Sequence, residues 1–223
     1  MSLYGGTALA LLIGHRRSED LDFFSFEPTL PKSALASQLN RMRAEGFNIV
    51  NSMDLVRISQ ARINGILLED FIQEFSINGV KVSFCTWNKG NPTRRQHFTQ
   101  APVITDTNAS FHIPTLQTLF ESKAVVLMDR IMSRDLFDLM VLVKHHGYTL
   151  NDIIHAIMLI DGREQNEALS ALEILIGNVP ADPTDPGFAS IAVHADLKDI
   201  HAFFTEHVNQ YERLLALQAV RRN

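Results

Sequence analysis

Asp20 and Asp22 stand two residues apart in an apolar run, Asp20-Leu21-Asp22-Phe23-Phe24. On a strand their carboxylates leave one face while Leu21 and Phe23 leave the other. Two neighbouring carboxylates repel one another unless a cation lies between them, and all-oxygen ligation suits magnesium or manganese. Upstream come Gly5, Gly6 and Thr7, then Ala8-Leu9-Ala10-Leu11-Leu12-Ile13. Glycines let backbone approach a phosphate closely, and a helix opened by Thr7 would aim its first amides and the positive end of its dipole at that anion. Its strong helix formers and lack of polar surface predict a buried helix. Gly14 suits a left-handed helix end, and His15-Arg16-Arg17-Ser18 forms a polar loop leading back to the acidic strand. A Gly-Gly turn or an Asp-x-Asp pair, taken singly, also fits a solvated turn or a strand edge; their conjunction with Arg16 and Ser18 points to a site for a nucleoside triphosphate and its metal.

These residues need a sheet and helices to hold them. After a turn at 25–31, Lys32 to Glu45 reads as an amphipathic helix with Leu35, Leu39 and Met42 on one face, ended by Gly46. Asn48 to Val50, Leu55 to Ile63 and Ile66 to Phe75 have the apolar density and alternation of strands, with Asn64-Gly65 and Asn78-Gly79 as hairpin turns. Val80, Val82 and Phe84 alternate with Lys81, Ser83 and Cys85 on a further strand. From Thr115 the pattern turns helical. One helix is expected to run to about Met132, another from Ser133 or Arg134 to His146-Gly147, and a third from the cap Thr149 with Asp152 at the capping-box position. Glu164 to Ile176 and Asp196 to Ala219 complete the set, separated by a Pro/Asp/Gly-rich loop from Asn178 to Gly187. The reading is an α+β domain followed by a helical lobe.

The 223 residues can bury a substantial core, and no apolar run is long enough to span a bilayer. The single cysteine, Cys85, excludes an internal disulfide, and the glycine-rich turn follows Met1 too closely for a secretory leader, so a cytoplasmic protein is expected. The formal charge of −5 excludes a broadly basic nucleic-acid platform. Residues 1–110 carry 11 Lys+Arg against 10 Asp+Glu, whereas 111–223 carry 9 against 15. RNA contact would therefore be local, at Arg16-Arg17 or at Lys89, Arg94, Arg95 and His97, which equally suit solvated loops. Trp87 beside Asn88 and Lys89 suits a base-stacking position or the lip of a core, and His194, His201 and His207 are too irregularly spaced for a zinc site.

Gly5-Gly6-Thr7-Ala8-Leu9-Ala10-Leu11, followed by Gly14-His15-Arg16, Ser18 and Asp20-Leu21-Asp22-Phe23-Phe24, closely resembles the opening motif of the nucleotidyltransferase AbiEii/AbiGii toxin family, a branch of the DNA polymerase beta-like nucleotidyltransferases. Lys123-Ala124, Arg130, and Arg134-Asp135-Leu136 with Asp138-Leu139 resemble that family's downstream signature, and weaker similarity covers Gly79 to Phe84 and the helices to about Ile160. The resemblance implies a nucleotidyltransferase-like mixed or antiparallel sheet with flanking helices over 1–112, and a helical lobe over 113–223 that completes the active site. It further implies magnesium- or manganese-dependent transfer of a nucleoside monophosphate from a nucleoside triphosphate to an RNA, plausibly tRNA-like, or to a protein hydroxyl. The protein would be the toxin of a toxin–antitoxin or phage-defence system with a cognate antitoxin. In the family the Gly-Gly motif follows further sequence, often helical, whereas Met1 to Tyr4 alone precede it here; a shortened gene start and a naturally minimal member both fit, and either could expose part of the sheet.

On that resemblance Gly5, Gly6 and Thr7 cradle phosphate, Asp20 and Asp22 hold the metal, and Arg16 with Ser18 contacts phosphate or supports the acidic pair. Lys123, in an otherwise apolar helix, reaches the nucleotide phosphates, with Arg130 one heptad later on nearly the same face; a snorkelling lysine is the competing reading. Asp135 and Asp138 are neighbours on a helix, and either could orient Lys123, Arg130 or Arg134 or form a purely structural ion pair. Ser83 stands where related enzymes carry a third carboxylate that activates the attacking hydroxyl. A neutral hydroxyl is a poor base, so the base is unassigned, with Glu69, Asp70 and Glu74 the nearest carboxylates. The alternative to a transferase is a nucleotide-binding regulatory or interaction protein that has lost turnover.

Overall fold

The computed structural model describes residues 1–86, 91–104, 111–188, 193 and 195–222. Trp87, Asn88, Lys89 and His194 lie outside the described residues. Two compact units are present: Met1–Ile13 with Ser18–Leu116, and Gly14–Arg17 with Gln117–Asn223. The loop before the acidic strand therefore groups with the helical unit.

The first unit is built on β1 (Ser2–Tyr4), α1 (Gly5–Ile13), β2 (Asp20–Ser25), α2 (Lys32–Ala44), β3 (Ile49–Asn51), α3 (Leu55–Ile63), a 3-10 turn (Leu68–Asp70), β4 (Ile72–Ile77), β5 (Val80–Thr86), α4 (Pro92–Gln100), β6 (Val103–Ile104) and β7 (Ile113–Pro114). Five strands form one mixed sheet in the order β1-β2-β5-β4-β3. β2 and β5 are parallel, and the other neighbours are antiparallel. Asn78 and Gly79, at φ 49° and 85°, turn β4 into β5, as an Asn-Gly hairpin requires. One face of the sheet is apolar. There Phe75 packs with Leu35 and Leu39 of α2, joined by Ile49, Ile77 and Phe84, and each fully buried side chain of this kind contributes about 1.5–3 kcal/mol. The opposite face carries Asp20 and Asp22.

Several elements depart from the sequence reading, each for a local reason. Leu55–Ile63 is a helix, not a strand, because the Asp54 carboxylate caps it by accepting from Val56 N at 2.8 Å. That cap outweighs the strand preference of Val56, Ile58 and Ile63. Asn64-Gly65 consequently ends a helix and makes no hairpin: Asn64 is the C-cap and Gly65 follows at φ 71°. Ile66 to Phe75 is divided between the 3-10 turn and β4. The helix after the Gly-Gly turn begins at Gly5 itself and buries only Ala8 and Leu9, leaving Leu11 exposed. Pro92–Gln100, which carries the Arg94, Arg95 and His97 read either as a local RNA contact or as solvated loop charges, is a helix capped by Asn91, with Arg94 buried and Arg95 donating to the Phe26 carbonyl at 2.8 Å. At the start of the chain Ser2, Leu3 and Tyr4 are buried, and the edge of β1 is bonded through Leu3 N to the His112 carbonyl at 2.8 Å.

The second unit contains α5 (Leu116–Val126), α6 (Ser133–His146), α7 (Leu150–Asp161), α8 (Gln165–Leu175) and α9 (Leu197–Arg222). α7 packs on α8 and α9, and α6 and α8 also pack on α9, around buried Leu136, Leu139, Ile153, Ile157, Leu175, Ile200 and Phe204. Gly147, at φ 78°, ends α6, and α7 opens with the expected Thr149–Asp152 capping box. α5 stops at Val126, six residues short of the expectation, so Arg130 lies on the turn beyond it. Met132 offers α6 no side-chain cap; Asp185, from the 178–187 loop, accepts from both Ser133 N (3.0 Å) and the Ser133 hydroxyl.

Candidate functional site

In the first unit the register fixes which residues share a face. Asp22 is the Cα partner of Ser83 on β5, and Ser83 is the partner of Glu74 on β4. Asp20, two residues from Asp22, is the partner of Lys81. Asp20, Asp22, Lys81, Ser83, Cys85 and Glu74 therefore leave one face of the sheet, opposite the α2 core. Both aspartates are half-buried, and the Asp20 carboxylate has no ion-pair or hydrogen-bond partner among the described residues. Gly5 approaches Asp22 so closely that a Cβ there would meet Asp22 Oδ2 at 3.2 Å, and its φ of 73° is one that L side chains rarely adopt. Thr7 donates its hydroxyl proton to the Asp20 carbonyl, with Oγ1 2.8 Å from Ser18 Oγ, which ties α1 to the start of β2. The task of Thr7 and Ser18 visible here is to lock the glycine turn against the acidic strand. Burial pushes the Cys85 thiol up to about 12, reinforced by Asp22 and Glu74, so it stays protonated and unreactive.

The donor set on this face suits a hard divalent cation: two carboxylates on one strand, with a glycine whose missing Cβ leaves room beside one of them. Among the described residues no group of three or more His, Cys, Asp or Glu is gathered to hold a metal ion. The chain's share of a bound cation would be Asp20 and Asp22, with phosphate oxygens and water completing the shell.

In the second unit, Lys123, Asp135 and Asp138 are 6, 3 and 0 % exposed. Lys123 Nζ lies 2.5 Å from Asp135 Oδ1 and 2.7 Å from Asp138 Oδ2. Asp138 also receives Arg16 through Nε (2.6 Å) and Nη2 (2.9 Å) and His15 through Nε2 (2.7 Å), while Asp135 receives Arg130 Nε at 3.2 Å. Burial by itself would raise both carboxyls, but Lys123, with His15 and Arg16 at Asp138 and Arg130 at Asp135, holds both below the ordinary carboxylate value. Burial likewise disfavours the Lys123 ammonium, and the two carboxylates override it and raise its pKa. The cluster is an ionised, internally satisfied network. Lys123 does not snorkel to water. Among the described residues His15 Nδ1 is buried there without a hydrogen-bond partner, on a ring stacked against Phe137.

The structure thus brings together Asp20, Asp22, Ser83, Gly5, Thr7 and Ser18 in one unit, and Lys123, Asp135, Asp138, Arg16 and Arg130 in the other. Gly6 opens α1 beside Gly5. Arg16 is held by Asp138, and Arg17 is the exposed member of that pair. Arg134, half-buried in the first turn of α6, has no ion-pair partner among the described residues, so the pairing allowed for it falls to Lys123 and Arg130. Glu69 and Asp70 lie on the 3-10 turn and are paired with Arg62 (2.6 Å) and Lys32. His15 and Lys81 are absent from the sequence-derived site; adjacency of His15 to Arg16, and the alternation that puts Lys81 beside Ser83, were the signals available for them.

The profile of the family described as "Nucleotidyl transferase AbiEii toxin, Type IV TA system" matches residues 1–220. An uncharacterized protein, aq_aa25, of Aquifex aeolicus (strain VF5) is 27% identical over 151 residues, 68% of this chain and 61% of that protein. The match thus spans less than two thirds of that relative. Among solved structures, MenT4, the nucleotidyltransferase toxin Rv2826c from Mycobacterium tuberculosis H37Rv, aligns over 92% of this chain and 75% of its own, with TM-score 0.46 and 12% identity.

Proposed function

From the premise that the chain belongs to the AbiEii family of nucleotidyl transferase toxins, we propose that it transfers a nucleoside monophosphate from a nucleoside triphosphate to a hydroxyl of an RNA or protein acceptor, as the toxin of a toxin–antitoxin pair. The observation that carries this reading is the Asp20–Asp22 face of β2 with Gly5 pressed against Asp22. A magnesium or manganese ion bound there would neutralise phosphate charge during transfer. Gly5 and Gly6 leave room for phosphate at the start of α1, where the helix dipole favours an anion. Thr7 and Ser18 keep that turn in register with Asp20. Within the helical unit Lys123 is held as a fixed cation by Asp135 and Asp138, with Arg16 and Arg130 supporting the two carboxylates. The acceptor oxygen attacks the α-phosphorus, the bond to the β-phosphate breaks, and pyrophosphate leaves; positioning and electrostatics supply the catalysis.

A cytoplasmic location and a role in phage defence belong to the same proposal; no helix of the described residues is long and apolar enough to cross a membrane. The test is incorporation of each α-labelled nucleoside triphosphate into total cellular RNA and protein, with magnesium or manganese, by the wild type and by Asp20→Ala/Asp22→Ala. Label transferred by the wild type alone supports the transferase and names its acceptor class. Binding of the same triphosphates without transfer to either pool sinks it in favour of a regulatory nucleotide-binding protein.

A further inference from the structure

Ser83 leaves the carboxylate face without an acidic residue on β5, yet that face does contain a third carboxylate one strand further on. We infer that Glu74 is the residue that takes the proton of the attacking hydroxyl, an inference that rests on the transferase reading above. Asp22, Ser83 and Glu74 are successive Cα partners on β2, β5 and β4, so their side chains leave the same face in one row. Neighbouring strands lie about 4.7–4.9 Å apart, so the row sets Glu74 two strand spacings from Asp22. The extra methylene of a glutamate lets its carboxylate reach back over the short serine between them.

Two further observations favour Glu74. Asp22 and Glu74 both act on the Cys85 thiol, after the larger effect of burial, which places both charges over the same stretch of sheet. The other nearby carboxylates are committed elsewhere, Glu69 to Arg62 and Asp70 to Lys32, on a turn that precedes the strand. Asp20, Asp22 and Glu74 are not gathered as a three-carboxylate metal group, which fits a base acting on the acceptor hydroxyl and not a third metal ligand. In the step, the acceptor O–H bond breaks as the oxygen bonds to the α-phosphorus, the proton passes to a Glu74 Oε, pyrophosphate carries away the electron pair of the broken P–O bond, and Glu74 returns the proton to water.

The experiment measures single-turnover transfer from whichever α-labelled triphosphate the wild type uses, together with equilibrium binding of that triphosphate. Glu74→Gln should lower the transfer rate by about 10²–10⁴-fold, the usual worth of a positioned base, with binding within about threefold of the wild type. Glu74→Gln/Ser83→Asp, which returns a carboxylate to β5, should regain at least tenfold of that loss by the same reasoning. Glu74→Ala supplied with formate as an external base gives the same readout without the Ser83 change, should that variant melt early. Transfer by Glu74→Gln at the wild-type rate would overturn the inference and leave the transferase intact. So would a loss that neither Ser83→Asp nor formate relieves, since that marks Glu74 as structural. Absence of transfer by the wild type would overturn the transferase reading and this inference with it.

Discussion

Acidic pairs occur in two settings in this molecule. On β2, Asp20 and Asp22 are half-buried, and Asp20 has no partner of opposite charge among the described residues. On α6, Asp135 and Asp138 are buried and ringed by Lys123, Arg16, Arg130 and His15. The same side chain is thus used differently: the first pair lies half-buried on a sheet face, and the second is buried with its cations built in. A network satisfied from within holds structure, and a half-buried acidic pair on a sheet face is available for a ligand. Substitutions should therefore separate the two pairs, with function lost at one and folding at the other.

The largest effect is expected at the sheet. Asp20→Ala/Asp22→Ala should reduce nucleotidyl transfer by at least about four orders of magnitude, more than about 5 kcal/mol of barrier, with the thermal midpoint shifted by only a few degrees. A melt that collapses together with activity would show that this pair is structural too, and the comparison would fail. Next comes Asp138→Ala, which strands Arg16 as a buried cation, leaves Lys123 with Asp135 alone, and should cost about 3–5 kcal/mol in urea unfolding. A cost below about 1 kcal/mol would mean that the cluster is worth no more than an exposed salt bridge.

The pH dependence sharpens the same contrast. Asp135 and Asp138 have folded-state pKa values below their ordinary ones. Their contribution is fully present above the unfolded carboxylate value of about 3.9, and is lost as pH falls through the depressed folded values. Lys123 has the opposite sign. Its raised pKa contributes stability below the unfolded lysine value of about 10.4, lost as pH rises through the folded one. Urea midpoints should therefore drop as the wild type is taken from about pH 4 toward 2, and Asp138→Ala should show a shallower drop over the same range. Parallel curves for the two proteins would show that Asp138 is not ionised against Lys123 in the folded state.

What could be read from the sequence follows the range of the interaction that decides it. Period-two alternation puts Asp20 and Asp22 on one face, Asn78-Gly79 turns a hairpin, and Thr149 with Asp152 caps α7, all within a few residues of chain. Leu55–Ile63 misleads because its β-branched residues compete with a single cap, Asp54, and the cap wins. The parallel pairing of β2 with β5 joins residues some sixty positions apart, and without it neither the Asp22–Ser83–Glu74 row nor the place of Lys81 beside Asp20 can be known. The bonds from His15 and Arg16 to Asp138 span more than 120 positions. The motif singled out these residues, but only the fold shows that Arg16 bonds Asp138.

The smallest expected effect asks how the second setting is kept rigid. The first turn of α6 carries Asp135, and its N-cap Met132 supplies no side-chain acceptor. Asp185 provides one from the 178–187 loop, and Asp182 of the same loop accepts from Ile131 N at 3.2 Å, beside the turn that carries Arg130. A carboxylate at a helix N-terminus satisfies free amides and complements the dipole, so Asp185→Ala should cost about 1 kcal/mol, with Asp185→Asn recovering most of it because the amide oxygen still accepts. If the loop also sets the cluster's geometry, Asp185→Ala and Asp138→Ala should cost less together than the sum of the two alone, since one lost network cannot be lost twice. Strict additivity in urea titrations would show that the cap stabilises α6 alone, leaving Lys123, Asp135 and Asp138 to hold one another.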